Sequence, residues 1–243
     1  MEIYICVALI AMLAGVLSGI VGTGSSLLLL PLMVSAFGPK QAIPIMAIAA
    51  ILGNIARMGA WWREIDWRAT LVYTLPGVPA ASVGAHVLLS LPSWTIDCAL
   101  GIFFGIMIVL RRSLKNNCWS LSIKQLGLCG GLVGFLTGLV LSTGPVSVPI
   151  FTAYGLSGGA FIGTEAASAL LLYTSKVSTF GFQGALSLHV ALIGLFVGGG
   201  IMLGTLSSKA LVQRLTATHF SFLTDGILMI AGAGFLYAAL HEK

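Results

Sequence analysis

The chain has 243 residues, of which 58% are apolar and 8% are charged, and its mean hydropathy is +1.04. Soluble domains carry roughly a quarter charged residues, so this composition excludes an ordinary water-soluble domain. The net charge is +5, but the cations cluster in loops between apolar runs. That distribution indicates membrane topology and anionic lipid headgroups rather than a nucleic-acid partner.

Apolar runs recur along the whole chain and predict an all-α polytopic membrane protein. The full-length segments are 3–21, 41–61, 69–90, 94–110, 126–143, 160–181, 187–207 and 218–240. Two short segments lie at 24–37 and 146–156. As helices the full segments are roughly 27–33 Å long, enough to cross the hydrocarbon core, whereas the short ones reach only about 15–21 Å. We therefore predict about eight full transmembrane helices and two short helices that are broken or re-entrant.

The order of long and short segments repeats, and so do the residues. The stretch "GVLSGIVGTGSSLLLLPLM" (15–33) aligns with "GFLTGLVLSTGPVSVPIF" (134–151) with one gap. The matched pairs are Gly15 with Gly134, Ser18 with Thr137, Gly19 with Gly138, Gly24 with Gly144, and Pro31 with Pro149. We interpret this as an internal duplication. It gives a first transmembrane repeat at 1–112, a polar linker loop at 113–125 and a second repeat at 126–243.

The orientation of the two halves depends on the short segments. If each short segment crosses the membrane, every half has five passes, the halves are inverted, and loop cations divide eight to two between the sides. If the short segments re-enter, the halves are parallel and the cations divide seven to three. The first division fits the positive-inside rule better, so it favours inverted halves with the loop at 111–124 in the cytoplasm.

Each short segment begins at a polar, glycine-rich break. The residues of the two breaks are Thr23, Gly24, Ser25, Ser26, Ser142, Thr143, Gly144 and Ser147. Irregular backbone persists in a membrane only inside protein or beside a water-filled cavity, and a helix N-terminus with glycines offers free N–H groups to an anion. We therefore predict a small-anion site at the breaks. The alternative is close helix packing through small residues, which we favour for Gly15, Gly19, Gly134 and Gly138.

Arg57, Glu165 and Lys176 are charged and lie within apolar segments, whereas Asp97 and Asp225 lie in the opening turns of theirs. Charges at depth usually face a cavity or a partner. Arg57 and Lys176 would supply positive potential to the anion site, or their long side chains would instead reach a membrane interface. Glu165 and Lys176 share one helix face about 16 Å apart, too far to pair directly. Glu165 is the candidate for coupling transport to a proton.

The two breaks resemble the sulfite exporter TauE/SafE family. The residues that carry the resemblance are "GTGSS" and "STGPVSVP", each a glycine-containing break that leads to a proline, and the connector "WWREIDW" at 61–67. The resemblance implies a bacterial inner-membrane carrier of sulfur-containing anions such as sulfite or sulfonates. Serines stand where the family has further glycines, and a proline interrupts the second break, which bears on the substrate.

We therefore expect a secondary transporter of a small anion in the lipid bilayer, working by alternating access, and not an enzyme. The alternatives are a passive anion channel and a non-transporting membrane subunit or intramembrane enzyme. The four cysteines form no C-x-x-C pair, no histidines show metal-ligand spacing, and no nucleotide-binding loop occurs. We accordingly expect no metal and no cofactor.

Overall fold

The computed structural model describes residues 2–21, 25–92, 94–96, 98–102, 106, 120–140 and 144–208. These residues contain helices and turns but no strand. The principal α-helices are α1 (Glu2–Val21), α2 (Ser25–Phe37), α3 (Pro39–Ala60), α4 (Trp67–Ser90), α5 (Ile123–Leu139), α6 (Gly144–Ala153), α7 (Gly158–Phe182) and α8 (Leu188–Ser208). A 3-10 turn covers Trp62–Glu64, and residues 94–96 and 98–102 are also helical.

The predicted apolar segments coincide with helices α1 to α8 to within four residues at each end. The interruptions also fall where they were predicted, since α1 ends at Val21 before α2 begins at Ser25, and α5 ends at Leu139 before α6 begins at Gly144. The all-α prediction is confirmed for the part of the chain that the structure describes. The predicted segment 218–240, much of 94–110 and most of the linker 113–125 lie outside the described residues.

Three of the described helices are long and apolar enough to cross a membrane, namely Lys40–Ala60, Trp67–Ser90 and Leu188–Ser208. Helices α2 and α6 have 13 and 10 residues. At 1.5 Å per residue they extend about 20 and 15 Å, less than the hydrocarbon thickness. The predicted count of eight full crossings includes 218–240 and therefore stays a prediction.

Local sequence signals fix where several helices begin. Gly38 has a positive φ of 72° and precedes Pro39, which opens α3. The side chain of Asp66 accepts a hydrogen bond from the backbone N–H of Ala69, 2.9 Å away, and caps α4. Ser122 and Gln125 form a reciprocal capping box at the start of α5. Residues next to each helix start thus fix where these helices begin.

Helices α3 and α7 pack against each other at the centre of the described structure, and α3 has the most buried of the three candidate spans. Around them α8 packs on α3, and α4 packs on α7. Polar side chains join α4 to α7 at four-residue steps. The Ser175 hydroxyl donates to the Val78 carbonyl at 2.8 Å, and the hydroxyls of Ser82 and Thr179 are 2.7 Å apart. Because both numbers increase together, α4 and α7 run parallel.

In two further helix pairs, α1 with α8 and α4 with α5, the helix backbones contact each other at glycines. A Cβ on Gly15 would overlap the backbone of Ile201, and one on Gly134 would overlap the backbone of Gly77. A Cβ on Gly138 would likewise overlap the backbone of α4, and one on Gly19 would overlap the Ser208 hydroxyl of α8. The packing interpretation of these four glycines is confirmed. Each close pair joins one helix from the first half of the chain to one from the second.

We expect Gly134→Ala to destabilise the protein, because the added methyl group must push α5 away from α4. Overpacking of this kind costs about 1–3 kcal/mol, and the loss is measurable as a lower melting temperature of the purified protein in detergent. Gly131→Ala is the matched control on the same helix, since its Cβ would meet only the Pro76 Cβ at an ordinary 3.6 Å. Equal melting temperatures for the two variants would contradict the backbone-contact interpretation.

Candidate functional site

A buried polar cavity lies where the two breaks meet the central helices α3 and α7. Helices α1, α2, α5 and α6 contribute to its wall the residues Ser18, Ser25, Ser26, Thr137, Gly144 and Ser147. The cavity volume is about 40 Å³, counted as the space open to the centres of water molecules. Since roughly 10–15 Å³ of such space holds one water, the cavity has room for a few waters or one small oxyanion.

An ion pair crosses the cavity between α3 and α7. The Nη1 atom of Arg57 lies 2.9 Å from Oε2 of Glu165, and the two side chains are only 8% and 5% exposed. The Nη2 atom of Arg57 donates to the side-chain oxygen of Asn54, one turn earlier on α3. Arg57 therefore turns into the protein rather than towards a membrane interface, and its guanidinium is part of the cavity wall.

Three polar side-chain atoms of the cavity wall have neither a hydrogen-bond nor an ion-pair partner among the described residues. They are Nε of Arg57, Oη of Tyr73 and Oγ of Ser168, and all are buried. Ser168 lies one turn after Glu165 on α7 and lines the same cavity. Buried polar atoms are normally paired with protein or water, so these three are available to a guest in the cavity.

Tyrosines from α4 and α7 extend the wall. Tyr73 and Tyr173 both line the cavity, with Tyr73 beside Ser147 and Tyr173 beside Ser26. The Tyr73 ring also stacks at a tilt on Phe151, with ring centroids 4.8 Å apart. Tyr73 thus links α4 to α6, and Tyr173 links the central helix α7 to α2.

The sequence prediction of the site missed six polar wall residues, Ser18, Asn54, Tyr73, Thr137, Ser168 and Tyr173. Helical spacing would have found some of them, because Asn54 lies on the face of Arg57 and Ser168 lies on the face of Glu165. No signal in the sequence marks Tyr73, which reaches the cavity from a third helix.

The structure brings together only part of the predicted site. Ser25, Ser26, Gly144, Ser147, Arg57 and Glu165 all line the cavity. The predicted residues Thr23, Gly24, Ser142 and Thr143 lie outside the described residues.

Lys176 is fully buried but is not part of the cavity wall. Its ammonium donates to the carbonyls of Thr137 and Val140 at 2.8 and 2.9 Å and lies 5.5 Å from the centre of the Phe180 ring. These carbonyls belong to the last turn of α5, where a helix lacks internal partners and favours a cation. Lys176 therefore holds the end of α5, including the wall residue Thr137.

The connector between α3 and α4 positions the start of α7. The backbone N–H of Asp66 donates to the Thr164 hydroxyl at 2.9 Å, next to Glu165. Gly159 and Gly163 lie under Trp61, where any side chain at Gly159 would overlap the indole ring and Glu64. The connector thereby fixes the turn of α7 that presents Glu165 to Arg57.

The apolar helices and the buried polar cavity between them are those of an integral membrane protein. The family model described as sulfite exporter TauE/SafE matches residues 7–235, so the chain belongs to that family. The chain is also 23% identical over 255 residues to the "Probable membrane transporter protein YjnA" of Bacillus subtilis (strain 168), covering 94% of this chain and 98% of that protein. No solved structure matches the chain. The family resemblance of the breaks is confirmed, and the chain is a membrane transporter.

We expect Lys176→Met to lower the melting temperature, because methionine fills the space without donating to the two α5 carbonyls. Each buried acceptor left without a partner costs about 1–3 kcal/mol. The control is Lys40→Met, which removes an exposed cation from the start of α3. Thermal unfolding in detergent compares them, and an unchanged melting temperature for Lys176→Met would refute the capping role.

Proposed function

We propose that the chain is a secondary transporter of a small anion, an oxidised-sulfur compound such as sulfite or a sulfonate, and that the cavity is its binding site. The observation that carries this proposal is the meeting of Ser25, Ser26 and Ser147 from both short helices with Arg57 in one buried cavity. The description of the family, sulfite exporter, supports the choice of substrate class.

The chemistry of the wall suits an oxyanion. Helices α2 and α6 begin at Ser25 and Gly144, and both residues line the cavity, so the N-terminal N–H groups and the positive dipole ends lie at the site. Serine hydroxyls can donate to several oxygens of one anion, and an arginine guanidinium can bind two oxygens at once. Neutral donors together with one cation fit a small, oxygen-rich ligand.

For the whole chain we propose two inverted repeats, 1–112 and 126–243, joined by the polar linker, with eight full crossings and two short helices. The same interval of 119 residues separates five pairs of wall residues, namely Ser18 and Thr137, Ser25 and Gly144, Ala50 and Ala169, Gly53 and Leu172, and Asn54 and Tyr173. The contact of α1 with α8 likewise corresponds to that of α5 with α4. A cavity built from equivalent positions supports alternating access between related halves. We place the protein in the bacterial inner membrane.

Removal of one break hydroxyl should weaken anion binding without unfolding the protein. We expect Ser25→Ala and Ser147→Ala each to raise KM about tenfold or more, because a hydrogen bond to a charged group contributes about 1.5–3 kcal/mol. Uptake into proteoliposomes measures KM. A prior screen of sulfite, thiosulfate, sulfonates and carboxylates for thermal stabilisation selects the anion.

The matched control is Ser35→Ala on α2, whose exposed hydroxyl donates to the Leu32 carbonyl outside the cavity. Its KM should equal that of the wild type. Wild-type KM values in both Ser25→Ala and Ser147→Ala would mean that the anion binds elsewhere.

A carrier and a passive channel differ in counterflow. We expect unlabelled anion inside proteoliposomes to accelerate entry of labelled anion, because a carrier returns faster when loaded on both sides. A channel shows no such trans-stimulation, so its absence would favour the channel over the secondary transporter.

A further inference from the structure

The charges of the cavity wall cancel when the site is empty. Among the described wall residues Arg57 is the cation and Glu165 is the anion, and the remaining polar groups are hydroxyls, the amide of Asn54 and backbone. Lys176 does not supply a second cation to the wall, because its ammonium is bound to the α5 carbonyls. An anion that enters the cavity would therefore leave an excess negative charge in a buried place, which is costly.

Glu165 already binds the guanidinium that an anion needs. Its carboxylate lies on Nη1 of Arg57, and Asn54 accepts from Nη2, while Nε has no partner. An oxyanion bound by two nitrogens of the guanidinium must use at least one of the two Nη atoms, and each of these already has a partner. Ser168, one turn from Glu165, has its free hydroxyl on the same wall. The anion and the Glu165 carboxylate therefore share one guanidinium within one small cavity.

We propose that the anion and Glu165 compete for Arg57, and that Glu165 takes up one proton each time an anion binds. This inference rests on the proposed transport of a small anion through the cavity. The proton comes from water on the side to which the cavity is open, and it bonds to a carboxylate oxygen of Glu165. When the anion leaves, the proton returns to water and the Glu165–Arg57 ion pair forms again.

Proton uptake makes two states electrically equivalent. The empty cavity holds Arg57 as a cation and Glu165 as an anion, whereas the loaded cavity holds Arg57, a monoanion and a neutral Glu165. Both have no net charge, but a cavity with the anion and an ionised Glu165 has one excess negative charge. Low-dielectric surroundings penalise that charged third state. The protein therefore changes between its inward-open and outward-open conformations either empty or with both the anion and the proton bound.

Other ionisable groups near Glu165 do not offer the same exchange. Tyr73 from α4 and Tyr173 from α7 carry no charge to cancel, and Arg57 is the cation for which the two anions compete. Asp66 and Glu64 belong to the connector beside the first turns of α7. The Asp66 carboxylate caps α4, and Glu64 is exposed. Glu165 is thus the carboxylate that faces the cavity from the described residues.

The decisive variant is Glu165→Gln, which has the shape of the protonated side chain and cannot titrate. In the wild type the apparent anion affinity should fall as pH rises, approaching about tenfold per pH unit once Glu165 is ionised in the empty protein. In Glu165→Gln the affinity should equal or exceed that of the wild type at low pH and lack this slope. The probes are sulfite and, in parallel, methanesulfonate. Protonation of the anion itself affects both proteins equally, so it cancels when the affinities of the wild type and Glu165→Gln are compared at each pH.

Transport gives a second readout. Glu165→Gln should keep counterflow of labelled anion, because exchange needs no release of the proton. It should lose net uptake driven by a pH gradient, whereas Lys40→Gln, which removes an exposed charge outside the cavity, should keep both. Proton uptake on anion binding to the wild type, followed with a pH indicator in weak buffer, should approach one proton per anion and needs no variant.

The failures are distinguishable. Binding or counterflow of the anions by the wild type with no proton uptake, or net pH-driven uptake by Glu165→Gln, would overturn the competition for Arg57 while leaving anion transport intact. Absence of both anion binding and counterflow in the wild type would overturn the proposed function, and this inference with it. If Glu165→Gln does not fold, the wild-type proton count alone decides.

Discussion

Helix ends inside a membrane protein need hydrogen-bond partners that lipid cannot supply. The last turn of α5 meets this constraint through the ammonium of Lys176, which is bound to the carbonyls of Thr137 and Val140. The short helix α2 packs on α3, and the starts of α2 and α6, at Ser25 and Gly144, lie in one cavity wall with residues of α3 and α7. The space between these helix ends and the central helices is polar, buried and small. The cavity is therefore a consequence of how the interrupted helices are accommodated.

The central helices α3 and α7 supply the charged side chains of that cavity. Arg57 on α3 and Glu165 on α7 satisfy each other across it, and the connector at 61–67 holds α7 in the matching position through Asp66 and Thr164. A buried ion pair is weak evidence for stability, because desolvation offsets much of the attraction. Its place in the wall of a cavity, among three unpartnered polar atoms, points instead to use in binding.

The sequence was sufficient to predict the helices and the breaks, because apolar periodicity and glycine position are local properties. It was also sufficient to select Ser25, Ser26, Ser147 and Arg57 as residues near one another. The pairing of Arg57 with Glu165 could not be predicted, since spacing shows which face of a helix a residue occupies but not which helix lies opposite. The carbonyl partners of Lys176 were missed for a related reason, because backbone acceptors leave no mark in the sequence. Tyr73 reaches the cavity from α4 only as a result of tertiary packing.

The closeness of α1 and α8 has a consequence for the order in which the protein is made. The Thr205 hydroxyl on α8 donates to the Gly15 carbonyl at 3.1 Å, a contact between residues 190 positions apart. Because α1 is synthesised well before α8, the glycines of α1 lie in the membrane without their packing partner until α8 has been made. The packing of α1 on α8 can form only after α8 has been inserted, and the earlier helices should therefore be the ones most exposed to quality-control proteases during synthesis.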